Sequence, residues 1–189
     1  MESPELSLLS DEFLDSVAHS STPNLQLGLL YRLLDDRIHT VSRTNLVKGR
    51  KFSEMLSDAL ARYTNRSLTT AEILAELVNL AKEMRADRER SQQLGLSEAE
   101  IALYDAIIQN DSAILEMGDE TLKAIARELV DTIRSSATLD WTVKKSVQAS
   151  MRSSIKRLLA KYKYPPDKRE RAVQLVIEQA EHLVAGEQD

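Results

Sequence analysis

From position 25 to position 183 the apolar residues recur at intervals of three and four and form no alternating run. That spacing lays them along one face of successive helices and leaves no segment with the period-two pattern of a half-buried strand. Leu25, Leu29, Leu30, Leu33, Leu34 and Ile38 make one stripe. Phe52, Met55, Leu56, Ala59, Leu60 and Tyr63 make the next, with Gly49 a weak point near its start. Ile73, Leu74, Leu77, Val78, Ala81 and Met84 follow, then Ile101, Tyr104, Ala106, Ile107 and Ile108, then Leu122, Ile125, Ala126, Leu129, Val130 and Ile133. The last stripe is Val173, Val176, Ile177, Ala180 and Leu183. Only five glycines and four prolines interrupt 189 residues, and aromatics are 4%, so the core has to be aliphatic.

Start and stop signals bracket the stripes. Ser10 before Asp11 and Glu12 predicts a short helix to about His19, behind a frayed lead-in over residues 1–9. Thr22-Pro23 predicts a second start, with proline at the first helical position. The chain is expected to bend between Thr40 and Thr44. Thr69-Thr70-Ala71-Glu72 and Ser97-Glu98-Ala99-Glu100 are capping boxes, in which the glutamate reaches back to the backbone of the capping residue. Gly95 is a natural stop, Gly118-Asp119 a restart, and Tyr164-Pro165-Pro166 an end, since a residue before proline avoids helical angles. The expected fold is all-α: an irregular bundle of seven or eight helices with no sheet. Residues 10–66 are expected to form an N-terminal helical arm and residues 67–185 a C-terminal bundle, in one continuous domain over 10–185.

Chemistry is sparse. Without cysteine there are no disulfides, thiolate metal sites or thiol nucleophiles. The five glycines, at 28, 49, 95, 118 and 186, are too scattered for a phosphate loop. No Asp/Glu-x-Lys triplet of the kind that holds Mg²⁺ in nucleases is present. Asp35-Asp36 point about 100° apart on a helix and read as a solvated helix end. His19, His39 and His182 lack a partner histidine three or four residues away, so the usual zinc spacing is missing. No apolar run reaches the ~18 residues of a membrane span, and the acidic N-terminus lacks the basic start of a signal peptide. No catalytic, cofactor or metal residue is expected, and the chain reads as cytoplasmic.

The strongest charge asymmetry lies between positions 144 and 171, where ten basic residues meet two acidic ones: a net +8 in a chain of −5, leaving −13 for the rest. On a helical wheel Trp141, Val147, Met151, Ile155, Leu158, Leu159 and Tyr162 share one face, with Lys145, Arg152, Lys156 and Lys163 along one flank of it. That basic flank suits three uses: covering apolar surface and pairing with acidic helices of the same chain, meeting a protein partner, or lying along a DNA backbone. The lone Trp141 reads as a core or interface anchor.

One further pattern is carried by order and spacing. Asp11-Glu12-Phe13-Leu14, Leu33-Leu34-Asp35-Asp36, Lys51-Phe52-Ser53-Glu54-Met55-Leu56, Arg62-Tyr63-Thr64-Asn65-Arg66, Leu80-Ala81-Lys82-Glu83-Met84, Leu94-Gly95-Leu96-Ser97-Glu98, Tyr104-Asp105-Ala106, Asp140-Trp141-Thr142-Val143, Arg157-Leu158-Leu159 and Lys163-Tyr164-Pro165-Pro166-Asp167-Lys168 succeed one another along the chain. Together they resemble the C-terminal helical region of the restriction (R) subunit of type I restriction–modification enzymes, with Phe52, Asn65, Arg66, Trp141, Tyr164 and Pro165 as its structural landmarks. The resemblance implies a non-catalytic assembly region, an excised fragment or truncated product of such a subunit. It would dock the subunit onto the methyltransferase and specificity subunits and brace the motor domains. ATP and Mg²⁺ are implied only for the nuclease and motor domains, whose motifs are absent here. Alone the chain is expected to catalyse nothing, although it resembles part of a type I site-specific deoxyribonuclease. The alternative is a DNA-backbone-contacting module using the basic helix over 144–163.

Overall fold

The computed structural model describes residues 10–136 and 145–186. Among these residues the chain forms nine α-helices and a 3-10 turn, with no strand. In order these are α1 (Asp11–Ala18), α2 (Pro23–Thr44), α3 (Leu46–Thr64), α4 (Thr70–Gln93), α5 (Glu98–Ile107), α6 (Asp111–Met117), α7 (Asp119–Ser136), α8 (Lys145–Lys161), the turn Pro166–Lys168 and α9 (Arg169–Gly186). The all-α reading holds. The count of seven or eight falls short of nine, and the helix with no counterpart in the apolar stripes is α6. Its seven residues complete no amphipathic repeat, and Ile114 and Leu115 on it face solvent at 46% and 86% exposure, so periodicity gives no sign of it. Asn110 starts it, its Oδ1 accepting from Ser112 N at 3.1 Å.

The helices divide into two compact units. One takes the described residues up to Val41 and then Gly49–Leu94; the other takes Ser42–Lys48 and the described residues from Gly95 onward. The first unit is built on Leu14, Val17, Leu30, Leu34, Ile38, Phe52, Leu56, Ala59, Ile73, Leu77 and Ala81, all buried, with α1 packed on α4. Ser10 caps α1 by accepting from Phe13 N at 3.2 Å, and Arg85 pairs with Asp11 at 2.8 Å. Leu25 and Leu29 lie on the exposed side of α2, so its buried stripe starts only at Leu30. Gly49 is buried within the first turn of α3 and does not interrupt it.

The second unit is centred on α5, in which Ala102 through Ile107 are all buried. A helix enclosed on every side needs neighbours on every side. Helices α7 and α9 pack directly against it, and α8 packs on those two. Both capping boxes form. Thr69 N donates to Glu72 Oε2 at 2.7 Å and Ser97 N to Glu100 Oε2 at 2.7 Å, while Glu72 N and Glu100 N each donate back to the hydroxyl at 3.3 Å. Gly95 follows α4 with φ +66°, as a C-terminal glycine should.

Candidate functional site

Three arrangements could carry function: the basic helix α8, the break between α2 and α3, and the turn that follows α8.

On α8, Met151, Ile155, Leu158 and Leu159 are buried, so the apolar face faces inward as the wheel requires. Lys145 is the first residue of the helix and is exposed. Arg152 donates Nη2–H to Gln174 Oε1 at 2.6 Å and holds Nη1 3.5 Å from Glu170. Lys156 pairs with the other oxygen of Glu170. The hydrogen bond from Lys156, helped by the Arg152 charge, holds the Glu170 carboxyl below its usual range. On the opposite flank Lys161 Nζ and the Tyr162 hydroxyl both donate to Glu128 of α7 at 2.7 Å, which lowers that carboxyl too. Lys163 stands beyond the helix, exposed, at φ +58°. The four residues of the basic flank therefore divide. Arg152 and Lys156 join α8 to α9, whereas Lys145 and Lys163 point into solvent and form no ion pair among the described residues.

At the α2–α3 break the second unit holds a polar cluster that apolar spacing does not disclose. The helix ends at Thr44, the last residue of the bend expected over 40–44, and the break itself is Asn45, 5% exposed. Asn45 Oδ1 accepts from Lys48 N at 3.0 Å, capping α3, and its Nδ2 donates to Asp105 Oδ2 at 2.6 Å. Lys48 Nζ lies 3.5 Å from the same carboxylate oxygen. From α9, the fully buried Gln179 donates Nε2–H to Thr44 O at 3.0 Å and accepts from Leu46 N at 2.9 Å. His182 Nε2 donates to Ser42 O at 2.7 Å. The last carbonyls of one helix and the first amides of the next have no partners inside their own helices. Here α9 supplies them for Ser42 O, Thr44 O and Leu46 N, while Asn45 itself takes Lys48 N and α5 holds the Asn45 side chain. The sequence carries a faint signal of half of this: Asp105 is the polar residue inside the otherwise apolar run over 101–108, a position that burial permits only with partners, whereas Gln179 stands among other polar residues of α9.

The landmark residues fall into caps and core. Phe52 is buried in α3. Asn65 and Arg66 close that helix: Arg66 N donates to Tyr63 O and Ser67 N to Arg62 O, with Arg66 at φ +58°. Those two bonds around a left-handed residue define a Schellman turn. The same turn ends α8, where Lys163 N donates to Ala160 O and Tyr164 N to Leu159 O. Tyr164 and Pro165 are buried, and the Tyr164 hydroxyl donates to Ile107 O at 2.6 Å. Burial pushes that hydroxyl's pKa up, with the Asn110 side chain acting in the opposite sense. Trp141 lies outside the described residues.

Nothing among the described residues gathers three or more His, Asp or Glu side chains as a metal ion would require. The histidines at 19 and 39 sit 2.9 Å from the carbonyl four residues before them. Among the same residues no helix is long and apolar enough to cross a membrane.

Residues 1–186 match the family model described as type I restriction enzyme HindI endonuclease subunit-like, C-terminal. The chain is 44% identical over 180 residues to the type I restriction enzyme HindI endonuclease subunit of Haemophilus influenzae, covering 95% of this chain and 17% of that protein. It is 37% identical over 163 residues to a Methanocaldococcus jannaschii protein provisionally named a type I restriction enzyme MjaIXP endonuclease subunit, covering 85% of this chain and 15% of that one. No solved structure matches. The chain thus spans about a sixth of the length of the curated relatives it matches, and over nearly all of its own length it belongs to the family of C-terminal regions of HindI-like type I restriction endonuclease subunits.

Proposed function

We propose that the chain is the non-catalytic assembly region of a type I restriction R subunit, docking that subunit onto the methyltransferase and specificity subunits and bracing its motor domains. The observation that carries this reading is the match itself: residues 1–186 align with a C-terminal family while covering 17% of an endonuclease subunit. The joint around Asn45, Asp105 and Gln179 supports the bracing half. It replaces a solvated helix break with buried hydrogen bonds, which is what a part that must hold two helices at a fixed angle requires. ATP, Mg²⁺ and DNA cleavage belong, on this reading, to the other domains of the parent enzyme, and the whole works in the cytoplasm. The test is a pull-down of the methyltransferase–specificity complex by the purified chain, with nuclease and ATPase assays alongside. Retention of the complex without either activity is the expected result, and no binding at micromolar concentration would remove the docking role.

The exposure of Lys145 and Lys163 favours a second reading, in which the basic helix lies against a DNA backbone. Arg152 and Lys156 would join them only by exchanging Glu170 for phosphate. Duplex binding that falls steeply with salt, and that is lost when all four charges are reversed, is its signature.

A further inference from the structure

Helix α6 buries only Ala113 and rests on α7. The two residues after that anchor are large and aliphatic, yet Ile114 is 46% exposed and Leu115 86%. Neighbours on a helix point about 100° apart, so the two side chains make one broad apolar knob on the solvent side. A single exposed leucine is ordinary; an adjacent pair inside a ring of like charge marks a surface meant to be covered.

The ring is acidic. Residues 91–122 contain seven acidic side chains and no lysine or arginine. Four of the seven, Asp111, Glu116, Asp119 and Glu120, bracket the knob in sequence and are exposed. Lys123 pairs with Asp119 at 2.8 Å and Glu120 at 3.1 Å, and its own side chain is only 13% exposed. Asp111 and Glu116 form no ion pair among the described residues. Glu116 stands in the last turn of α6, where the helix dipole disfavours an anion, so the stability of the helix does not call for it there. An apolar centre inside a polar rim is the anatomy of a protein–protein contact. The sign of the rim narrows the occupant: it repels a nucleic-acid backbone and attracts a groove edged with lysine and arginine.

We propose that α6 is a docking knob, with Ile114 and Leu115 entering an apolar groove edged with basic residues on the methyltransferase–specificity complex. This rests on the docking reading and gives it a place on the chain. Subunits that act on DNA carry basic surface, which an acid-rimmed knob fits and the basic flank of α8 does not.

The test is the binding kinetics of the whole 189-residue chain on the immobilised complex, at low and high salt. Ile114→Ser/Leu115→Ser, altered only at exposed positions, should bind at least about tenfold more weakly, chiefly through faster dissociation. Asp111→Asn/Glu116→Gln should associate more slowly and lose part of the salt dependence. Leu25→Ser/Leu29→Ser removes two exposed leucines from α2 and should bind like the parent, which controls for indiscriminate apolar contact. If the parent chain binds and the α6 variants bind equally well, the knob is overturned and the docking reading stands. Equal losses in the α6 and α2 variants would also overturn it. If the parent chain does not bind at all, the docking reading falls and this occupant falls with it. Sedimentation velocity covers the remaining outcome: self-association that the α6 substitutions abolish, with binding to the complex unchanged, would make a second copy the occupant and overturn the assignment.

Discussion

Gln179→Leu is the sharpest probe of the joint between α2 and α3. The glutamine side chain is fully buried and makes two hydrogen bonds to backbone: Nε2 to Thr44 O at 3.0 Å and Oε1 from Leu46 N at 2.9 Å. Leucine has nearly the same volume, so cavity formation contributes little. What changes is polar. Leu46 is the first residue of α3, and its N–H has no acceptor inside the helix. Stripped of Gln179 it pays about 1–3 kcal/mol as a desolvated donor, and the lost bond to Thr44 O adds about 0.5–1.5 kcal/mol. The added apolar area of leucine returns roughly 1–2 kcal/mol. The net is a destabilisation of about 1.5 kcal/mol, which for a chain of this size lowers Tm by roughly 3–6 °C. Urea unfolding followed by circular dichroism measures the free energy, and hydrogen exchange at the Leu46 amide reports whether loss of protection starts at the joint. An unchanged midpoint with an unchanged slope would refute the reasoning, because it would mean that these two bonds contribute nothing beyond what water supplies. Gln179→Glu separates polarity from shape. A protonated glutamate can still donate to Thr44 O, whereas the ionised form places charge against that carbonyl. Its deficit relative to the parent should therefore be absent below the ordinary glutamate pKa of about 4.3 and grow as pH rises through the raised value of the buried acid.

Lys163→Gly should stabilise the chain by roughly 1 kcal/mol, since φ +58° strains a side-chain-bearing residue and suits glycine; a lower Tm for the variant would contradict this. Ser97→Ala removes the hydroxyl that accepts from Glu100 N and should cost about 1 kcal/mol by thermal unfolding. Acid sensitivity follows from Asp119, Glu128 and Glu170, held below their ordinary values of 3.8, 4.5 and 4.5 by hydrogen bonds from Lys123, Lys161 and Lys156 respectively. Groups with lowered folded values give stability that is complete above those ordinary values and is lost as pH falls through the folded ones. Tm measured from pH 7 downward should therefore stay level until about pH 4.5 and then drop, with a shallower drop in Glu128→Gln.

The helices were legible because their signals are local. A capping box spans four residues and an amphipathic stripe two or three turns, so Thr69, Ser97 and the stripe ending at Ile133 can be read directly from the chain. The joint was not legible, because its partners are separated by 60 to 135 residues: Asn45 from Asp105, and Thr44 and Leu46 from Gln179. No spacing rule links them, and apart from Asp105 none of them alone stands out from its neighbours in the sequence. The basic flank of α8 was half legible. Its cations could be counted, but whether Arg152 and Lys156 face solvent or Glu170 depends on how α9 packs. Helix α6 failed for the opposite reason, being too short to complete a pattern.

Several of the residues that carry the family resemblance now have physical roles, and those roles limit what the resemblance can transmit. Arg66 and Lys163 are the left-handed residues of two Schellman turns, each ending a long helix. Phe52 and Tyr164 fill core positions, and Tyr164 additionally ties the end of α8 to the last carbonyl of α5. These are the requirements for stopping helices at fixed places and packing them in fixed order. A basic residue where glycine would be cheaper is the exception, since backbone geometry alone does not call for it. Lys163 is also exposed, so its charge and its conformation can be assayed separately. Lys163→Gly relieves the strain and removes the charge, Lys163→Asn keeps much of the tolerance for that conformation without the charge, and Lys163→Arg keeps the charge with the strain. If partner or duplex binding falls equally in the glycine and asparagine variants and survives in the arginine one, the lysine is there for its charge. If binding is indifferent to all three, the position serves the turn alone, and the basic flank of α8 is the brace between α8 and α9 that Glu170 indicates.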